Sequence, residues 1–148
     1  MNHRIPALLL LATLAGTAQA QEPSPNTGNI RVVVNNIRNA SGFIGVALFE
    51  AKDGFPDKPE HAITGKRIPA GDHSEIIFEN VPYGTYAVSV LHDENGNGRM
   101  DKNFIGIPKE GFGTSNNPKI RRGPPSFSES SFSLESHELA MKIDMNYY

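Results

Sequence analysis

The residues best suited to chemistry in this sequence form an oxygen-rich run near the middle of the chain, reading Asp93-Glu94-Asn95-Gly96-Asn97-Gly98-Arg99-Met100-Asp101. Oxygen-bearing side chains stand at relative positions 1, 3, 5 and 9, a glycine at 6, and at 7 a residue whose backbone carbonyl can serve: Asp93, Asn95, Asn97, Asp101, Gly98 and Arg99. These are the offsets of a calcium-binding loop, in which alternate residues point inward and a hard cation collects oxygen ligands. The run therefore predicts a calcium site.

The run departs from a complete EF-hand at two points. Position 12 is Phe104 rather than glutamate, and the residues before the run resemble a strand rather than a helix. The predicted site thus has two carboxylate ligands, Asp93 and Asp101, to which Glu94 or Glu110 could be added. The alternative is a metal-free turn in which the Asp and Asn side chains accept hydrogen bonds from the local backbone.

Catalytic motifs are absent from the mature sequence. His92 precedes Asp93, but neighbouring residues of a strand point to opposite faces, which favours a hydrogen-bonded structural histidine over a dyad. No Gly-x-Ser-x-Gly elbow, His-Glu-x-x-His helix or phosphate-binding glycine loop occurs. The chain has no cysteine, which excludes a thiol nucleophile, a Cys-ligated metal site and a disulfide framework. We predict that the protein is not an enzyme.

Charge and aromatic content limit the partners. With 14 Lys and Arg against 16 Asp and Glu, the net charge is −2, and nucleic acid is not an expected partner. A local basic patch of Lys119, Arg121 and Arg122 suits an anionic glycan or lipid headgroup, although such a patch more often belongs to an ordinary solvated loop.

Four phenylalanines either line a binding cleft or anchor a long loop to the core: Phe104, Phe112, Phe127 and Phe132.

The N-terminal residues 1–20 predict a secretory signal peptide. A positive start ending at Arg4 precedes an apolar run over 5–14, and Ala18 and Ala20 form a small-x-small cleavage site. The apolar run is shorter than the roughly 20 residues that span a bilayer, which disfavours a membrane anchor. Cleavage after Ala20 predicts a periplasmic or secreted protein without a transmembrane segment, beginning with a flexible leader over 21–28.

The elements that must position these residues are strands. Apolar and polar residues alternate with a period of two over 29–37, 43–50, 73–81, 84–92, 132–134 and 139–147. The second of these segments is apolar on both faces and is expected inside its sheet. No mature segment keeps a helical period. We predict one all-β domain over 29–148, an antiparallel Ig-like β-sandwich of about seven strands.

Two segments lack the strand period. Residues 53–62 predict a loop with one helical turn that Asp57 and Glu60 could cap. Residues 93–130 predict a long ordered loop, pinned by prolines and aromatics, in which 104–107 is a candidate short strand.

Several motifs resemble known families. The segment FENVPYGTYAV at 78–88 resembles the strand–turn–strand signature of transthyretin-like and carboxypeptidase-regulatory-like sandwiches. Together with HDENGNGxxD at 92–101, GIPKEGFGxSNN at 106–117 and GPPSF at 123–127, it resembles the uncharacterised bacterial family DUF2141 over about 30–147. The resemblance implies a small exported β-sandwich, and it brings no activity, substrate or catalytic residue.

The leading functional hypothesis is an exported, non-enzymatic binding or structural module. A calcium-stabilised loop at 93–101 would support a recognition surface over 102–130 for an unidentified ligand, envelope protein or glycan. One alternative is a secreted hydrolase that uses Glu110, Asp101 and Glu129 as acid and base. Another is an envelope-assembly protein that acts through an exposed sheet edge. The sequence specifies neither the ligand nor the oligomeric state.

Overall fold

A computed structural model describes residues 26–72 and 74–148 of the chain. The described residues form eight strands: β1 Thr27–Asn35, β2 Phe43–Phe49, β3 Thr64–Pro69, β4 Ser74–Pro82, β5 Gly84–Asp93, β6 Gly111–Thr114, β7 Phe132–Leu134 and β8 Glu138–Asp144. Helical structure in this part of the chain is confined to a 3-10 turn at Pro59–His61 and a one-turn helix, α1, at Phe127–Ser130. The predicted all-β fold with very little helix is confirmed.

The strands form two sheets, as a sandwich requires. One sheet has the order β4-β1-β8, and the other has the order β3-β2-β5-β6 with β7 also paired to β5. Strand β2 occupies one side of β5, while β7 and β6 follow one another along its other side. All of these pairs are antiparallel except β1 and β8, which run parallel. That pair is a departure from a purely antiparallel sandwich.

A single apolar core lies between the sheets. The residues that alternate along the strands point into it and are almost fully buried: Ile30, Val32, Val34, Ile44, Val46, Leu48, Ile76, Phe78, Val88, Val90, Leu134 and Ile143. Strand β2 is interior, as its two apolar faces predicted, because Ala47 and Phe49 on its second face are also buried. The period-two pattern therefore identifies the faces of the strands correctly.

Tyr83 carries the chain from one sheet to the other between β4 and β5. The Tyr86 hydroxyl donates to the carbonyl of Pro82 at 2.8 Å, which fixes the bend. The sequence was compatible with either a hairpin or a sheet-to-sheet corner at this point. In the structure the connection is a corner, because β4 and β5 belong to different sheets.

The chain after β8 crosses back to the five-stranded sheet. The Met145 amide donates to the Asn35 carbonyl at 3.0 Å, and Met145 is buried. Asn146 then exchanges two backbone hydrogen bonds with Phe112 of β6, at 2.8 and 3.0 Å. This crossing joins the two sheets along one edge of the sandwich.

Aromatic side chains attach loops to the outer face of the five-stranded sheet. The ring of Phe49 meets that of Phe55 edge-on at 5.2 Å, and Phe55 meets Phe127 of α1 edge-on at 5.8 Å. We call these three residues the aromatic ladder. It holds the loop after β2 and the end of the long loop against β2, so the Phe49 end of the second face of that strand is covered.

Several predicted boundaries differ from the structure. Strand β1 begins at Thr27, inside the predicted leader, and ends at Asn35. Strand β3 was not predicted, because nearly all of its residues are exposed and it has no apolar alternation. The predicted capping of a turn by Asp57 and Glu60 is wrong, since the 3-10 turn follows Lys58 and has no side-chain cap.

The long segment over 93–130 also holds more structure than predicted. It contains β6 and α1, which are too short to show a period in the sequence. Residues 104–107 form the tip of a tight turn and are not the candidate strand. The predicted signal peptide and His73 lie outside the described residues. Within the described ranges, no helix has both the length and the apolar character to cross a bilayer.

Candidate functional site

Residues 93–101, here called the Asx loop, leave the end of β5 as a network of side chain-to-backbone hydrogen bonds. The buried carboxylate of Asp93 accepts from the amides of Asn97 at 3.0 Å and Gly98 at 2.8 Å. The side-chain oxygen of Asn95 accepts a hydrogen bond from the backbone amide of Asn97 at 3.1 Å. The side-chain oxygen of Asn97 accepts one from the backbone amide of Arg99 at 3.0 Å. Gly98 has φ of +80°, as expected for the sharp turn at position 6. These bonds have the form of the predicted Asx-turns.

Three of the predicted calcium ligands meet at one point. The side-chain amide of Asn97 donates to both carboxylate oxygens of Asp101, at 2.9 and 3.0 Å, and the amide of Asn95 donates to the same carboxylate. These hydrogen bonds, first from Asn95 and then from Asn97, hold the pKa of Asp101 below its usual value. Asp93 instead faces backbone amides and Arg67, whose guanidinium lies 3.6 Å away. The fourth predicted side-chain ligand is therefore committed elsewhere.

Glu110 ties the two ends of the Asx loop together. Its buried carboxylate accepts from the backbone amides of Glu94 and Asp101, each at 3.0 Å. Glu94 in turn forms a two-pronged ion pair with Arg38. That ion pair is the main reason why the pKa of Glu94 lies below its usual value.

An open polar cleft lies beside the Asx loop. Its volume is about 530 Å³, and it is lined by Ser41, Glu94, Asn95, Asp101, Lys102, Lys109 and Glu110. Both residues named as extra calcium ligands, Glu94 and Glu110, are thus near Asp101. Within 26–72 and 74–148, no three His, Asp or Glu side chains are grouped closely enough to hold a metal ion. Calcium binding stays a prediction.

His92 has the structural role that the sequence favoured. Its ring is fully buried, with Nε2 at 2.8 Å from the Ser41 carbonyl and Nδ1 at 2.8 Å from the Tyr147 hydroxyl. Because a carbonyl only accepts, Nε2 carries a proton, and in the neutral ring Nδ1 then accepts from Tyr147. The same hydroxyl oxygen accepts from the Arg38 amide at 3.2 Å. Both ring nitrogens are used, which leaves neither for a substrate.

A second site, which the sequence reasoning missed, lies on the outer face of the five-stranded sheet. It is a cavity of about 540 Å³ between that face and three loop segments, over 56–59, 98–108 and 123–124. We call it the outer cavity. The carboxyl-terminal half of the Asx loop continues directly into one of its walls.

Strand register explains why small side chains form the floor of the outer cavity. Strand pairing aligns one row of small residues across β3, β2, β5 and β6: Gly65, Ala47, Ser89 and Thr114. The next row aligns Arg67, Gly45, Leu91 and Phe112. Both rows face outward, because Val46 and Val90 between them face the core. Because the side chains in the first of these rows are small, they leave space above the outer face of the five-stranded sheet.

The wall at 98–108 ends in a tip with side chain-to-backbone hydrogen bonds. The side-chain oxygen of Asn103 accepts from the amides of Ile105 at 3.0 Å and Ile107 at 2.9 Å, and Lys102 pairs with Pro108 at the base. Ile105 and Ile107 line the cavity, yet they remain 65% and 40% exposed. Apolar side chains on this wall are therefore open to water.

The sequence predicted that four phenylalanines either line a binding cleft or anchor a loop, and the structure shows both arrangements. Phe112 lines the outer cavity, where Tyr148 stacks on it with ring centroids 6.0 Å apart. Phe127 belongs to the aromatic ladder, and Phe132 packs against the core. Phe104 does neither and is 99% exposed at the tip of the 98–108 wall. The basic patch of Lys119, Arg121 and Arg122 is exposed.

One feature of the sequence pointed to the outer cavity. The second face of β2 carries Gly45 and Ala47, and small residues on the second face of an interior strand leave a depression unless a loop fills it. The position of the loops, which decides whether it is filled, depends on contacts distant in sequence.

A comparison with family models matches residues 32–142 to a family described as an uncharacterised protein conserved in bacteria, DUF2141. The matched span runs from β1 into β8 and includes the Asx loop and the walls of the outer cavity. Neither the curated proteins nor the solved structures give a significant match to the chain. Because the matched span covers far more than half of the chain, this protein belongs to the DUF2141 family of uncharacterised bacterial proteins.

Proposed function

We propose that this protein is an exported, non-enzymatic module that binds a small, largely apolar molecule in the outer cavity. The cavity carries this proposal: its volume of about 540 Å³ lies within the range of about 300–1,000 Å³ common for small-molecule sites. Its lining is rich in apolar side chains, among them Leu91, Met100, Ile105, Ile107, Phe112 and Pro124. A ligand that covers the exposed members of this set removes apolar surface from water, which favours binding.

The hydrolase alternative has less support. A carboxylic acid that donates a proton in catalysis needs a raised pKa. The pKa values of Glu94, Asp101 and Glu129 are all lowered, that of Glu129 chiefly by its hydrogen bonds with Ser126. Glu110 is buried against backbone amides. These carboxylates hold the loops in place.

The sheet-edge alternative also has less support at β3. This edge strand contains Lys66, Arg67 and Pro69, and its residues are mostly exposed. Charged residues and proline on an edge strand oppose the addition of a further strand. The module is better placed to bind through the outer cavity than through this edge.

The proposal includes a calcium ion at the Asx loop. Its support is that Asn95, Asn97 and Asp101 meet at one point and that Glu94 and Glu110 line the cleft beside them. Binding requires the two amides to turn their oxygens toward the cation, giving up the Asx-turn bonds. Because the loop continues into the 98–108 wall, bound calcium would stiffen the outer cavity.

Thermal unfolding in EDTA, and then across a calcium titration with magnesium as the control ion, tests the metal. Asp101→Asn is the test variant, and Asp72→Asn, at an exposed position, is its matched control. Calcium is expected to raise the Tm of the wild type and D72N but not of D101N, since native-state binding adds about 2.7 kcal/mol at 100 Kd. An unchanged Tm in the wild type overturns the calcium part and leaves the cavity proposal standing.

Export is tested by the mass of the protein recovered from the periplasm and from the culture medium. Cleavage after Ala20 gives a chain that begins at Gln21. Ala20→Arg places a large charge at the cleavage site and is expected to retain the precursor mass. A wild-type protein of precursor mass in the cytoplasm contradicts export.

Fluorescence titration with the neutral probe N-phenylnaphthylamine tests the cavity. Gly45→Val fills the floor: a β-carbon at Gly45 meets nothing closer than the Leu91 carbonyl at 4.0 Å, and valine favours a strand. Saturable binding is expected for the wild type and for Thr85→Val, a control on β5 away from the cavity. It should be lost in G45V, whose Tm should be equal or higher. A folded G45V that binds like the wild type overturns the proposed site.

A further inference from the structure

We infer that the outer cavity takes an organic anion, a small amphiphile whose apolar body lies on the sheet and whose single acidic group pairs with Arg99. This inference rests on the proposed function and adds the chemical class of the ligand. It follows from the charges on the cavity walls and from the partners that those charges already have.

Two of the basic residues that line the cavity belong to β3, and the charged groups of both already have contacts within the protein. The Lys66 ammonium donates to the Ile77 carbonyl and lies 5.9 Å from the centre of the Phe78 ring. The Arg67 guanidinium lies over the Phe43 ring at 3.7 Å and 3.6 Å from the Asp93 carboxylate. Arg67 also donates to the Gly96 carbonyl at 3.3 Å. These contacts fix both cations.

The other two basic residues lie on the 98–108 wall. Lys102 pairs with Asp57, another lining residue, at 3.9 Å. Arg99 is exposed, and among the described residues its side chain makes no ion pair or hydrogen bond. Its charge acts on Asp101 at longer range, where it contributes weakly to the lowered pKa of that carboxyl. Arg99 is therefore the cation on the wall that is available to a ligand.

The acidic lining residues do not offset Arg99. Asp93 is buried with both carboxylate oxygens accepting backbone amides, and it faces Arg67. Asp57 faces Lys102. Arg67 thus faces Asp93 and Lys102 faces Asp57, while Lys66 is held by the Ile77 carbonyl and the Phe78 ring. Within the described part of the chain, Arg99 is the lining cation left without such a contact, and the lining carries an excess of positive charge beside an apolar floor.

An amphiphilic anion matches this arrangement better than a neutral or cationic one. Its apolar body would cover Leu91, Met100 and Phe112 and exclude water from around the guanidinium. Lower local polarity strengthens the attraction between opposite charges, and a guanidinium binds the oxygens of carboxylate and phosphate groups through paired hydrogen bonds. A cationic ligand would be repelled by Arg99.

Two fluorescent probes that differ in one sulfonate test the inference. N-phenylnaphthylamine is neutral, and anilinonaphthalenesulfonate is the same aromatic body with an acidic group. We expect the anion to bind the wild type about fivefold more tightly at low salt, the upper range of a partly exposed ion pair. Arg99→Gln should remove this preference by lowering the affinity for the anionic probe about fivefold more than the affinity for the neutral probe. Arg122→Gln, an exposed arginine outside the cavity lining, is the matched control.

The outcomes separate the two proposals. If both probes bind the wild type equally, or if R99Q keeps the preference for the anion, the ligand class is wrong while the cavity site stands. If neither probe binds, or if G45V binds both as the wild type does, the proposed site is wrong, and the inference falls with it. Loss of the preference in R99Q alone, together with weaker anion binding at high salt, supports the inference.

Competition distinguishes the sources of such an anion. Dodecanoate, dodecyl phosphate, dodecanol and dodecylamine share one alkyl chain and differ in the head group. Displacement of bound anilinonaphthalenesulfonate by both anions, and much less by the alcohol and the amine, is the expected result. Preference for dodecanoate indicates a ligand of the fatty-acid type, and preference for dodecyl phosphate indicates a ligand with a phosphate head group. Equal displacement by all four overturns the charge preference.

Discussion

Glu110 shows how one buried side chain can organise a loop that has little regular structure. Its two carboxylate oxygens accept the amides of Glu94 and Asp101, which lie at opposite ends of the Asx loop. A buried amide without a partner costs free energy, so the loop closes around this carboxylate. At the residue scale, side-chain oxygens therefore hold this loop through hydrogen bonds to its backbone. Calcium binding would add to this network.

Glu110→Ala is expected to lower the free energy of unfolding by about 1–3 kcal/mol, because two backbone amides lose their buried acceptor. Urea unfolding measures the change. Glu79→Ala, at an exposed position of β4, removes the same charge and should change stability by less than about 0.5 kcal/mol. Equal effects in the two variants contradict the proposed role of Glu110.

The ion pair of Glu94 makes the stability of the fold depend on pH in the acidic range. Its ion pair with Arg38 lowers its pKa in the folded state below the ordinary 4.5. A carboxyl with a lowered folded pKa contributes stability that is complete above the unfolded value and is lost as pH falls through the folded value. We therefore expect a falling Tm between about pH 5 and about pH 2, and a smaller fall in Glu94→Gln. Parallel Tm–pH curves for the two proteins contradict this assignment.

At the element scale, β2 carries both the core and the candidate binding site. One face contributes Ile44, Val46 and Leu48 to the space between the sheets, while Gly45 and Ala47 on the other face form the floor of the outer cavity. Loops cover the second face because the aromatic ladder attaches them to its far end. The cavity lies where the ladder stops and the small residues begin.

Phe127→Ala tests the aromatic ladder. It removes one edge-to-face contact, worth about 0.5–1.5 kcal/mol beyond the buried area, and loosens α1 from the sheet. We expect faster limited proteolysis between 115 and 131, with little change in the protection of β1 to β5. Phe104→Ala, at the exposed tip, is the control and should leave the cleavage rate unchanged. Equal rates for F127A and the wild type contradict the ladder's role.

At the scale of the whole molecule, the two sheets share one core, so we expect them to unfold as one unit. Ile30 lies in the three-stranded sheet and Ile44 in the five-stranded sheet, and neither is exposed. The crossing from β8 to β6 adds backbone bonds between the sheets. Because the sequence has no cysteine, this core and these bonds hold the sandwich without disulfides.

Ile30→Ala and Ile44→Ala are each expected to cost about 2–5 kcal/mol, the usual range for a large-to-small change in a core. Circular dichroism and tyrosine fluorescence should report one coincident transition in each variant. The conservative Ile30→Val, which keeps most of the side-chain volume, should cost about 0.5–1.5 kcal/mol. Separate transitions for the two sheets contradict a single cooperative unit.

Local patterns predicted the strands wherever burial alternated. Segments around Ile30, Ile44 and Val88 were placed to within two or three residues, because each strand has one face in the core. Strand β3 was missed because an exposed edge strand has no such alternation, and its position depends on hydrogen bonds from β2. The parallel pairing of β1 and β8 joins opposite ends of the domain, which no local pattern encodes.

The sequence by itself determined the fold class, the interior position of β2, the Asx loop with its glycine at Gly98, and the structural role of His92. Each of these follows from residue types at short spacing, where the backbone dictates which side chains meet. Only the tertiary structure decided that the Asp93 carboxylate lies beside Arg67 and that Glu110 closes the loop. It also decided that an apolar cavity lies above β2, since a cavity exists only where segments distant in sequence pack around a surface without filling it.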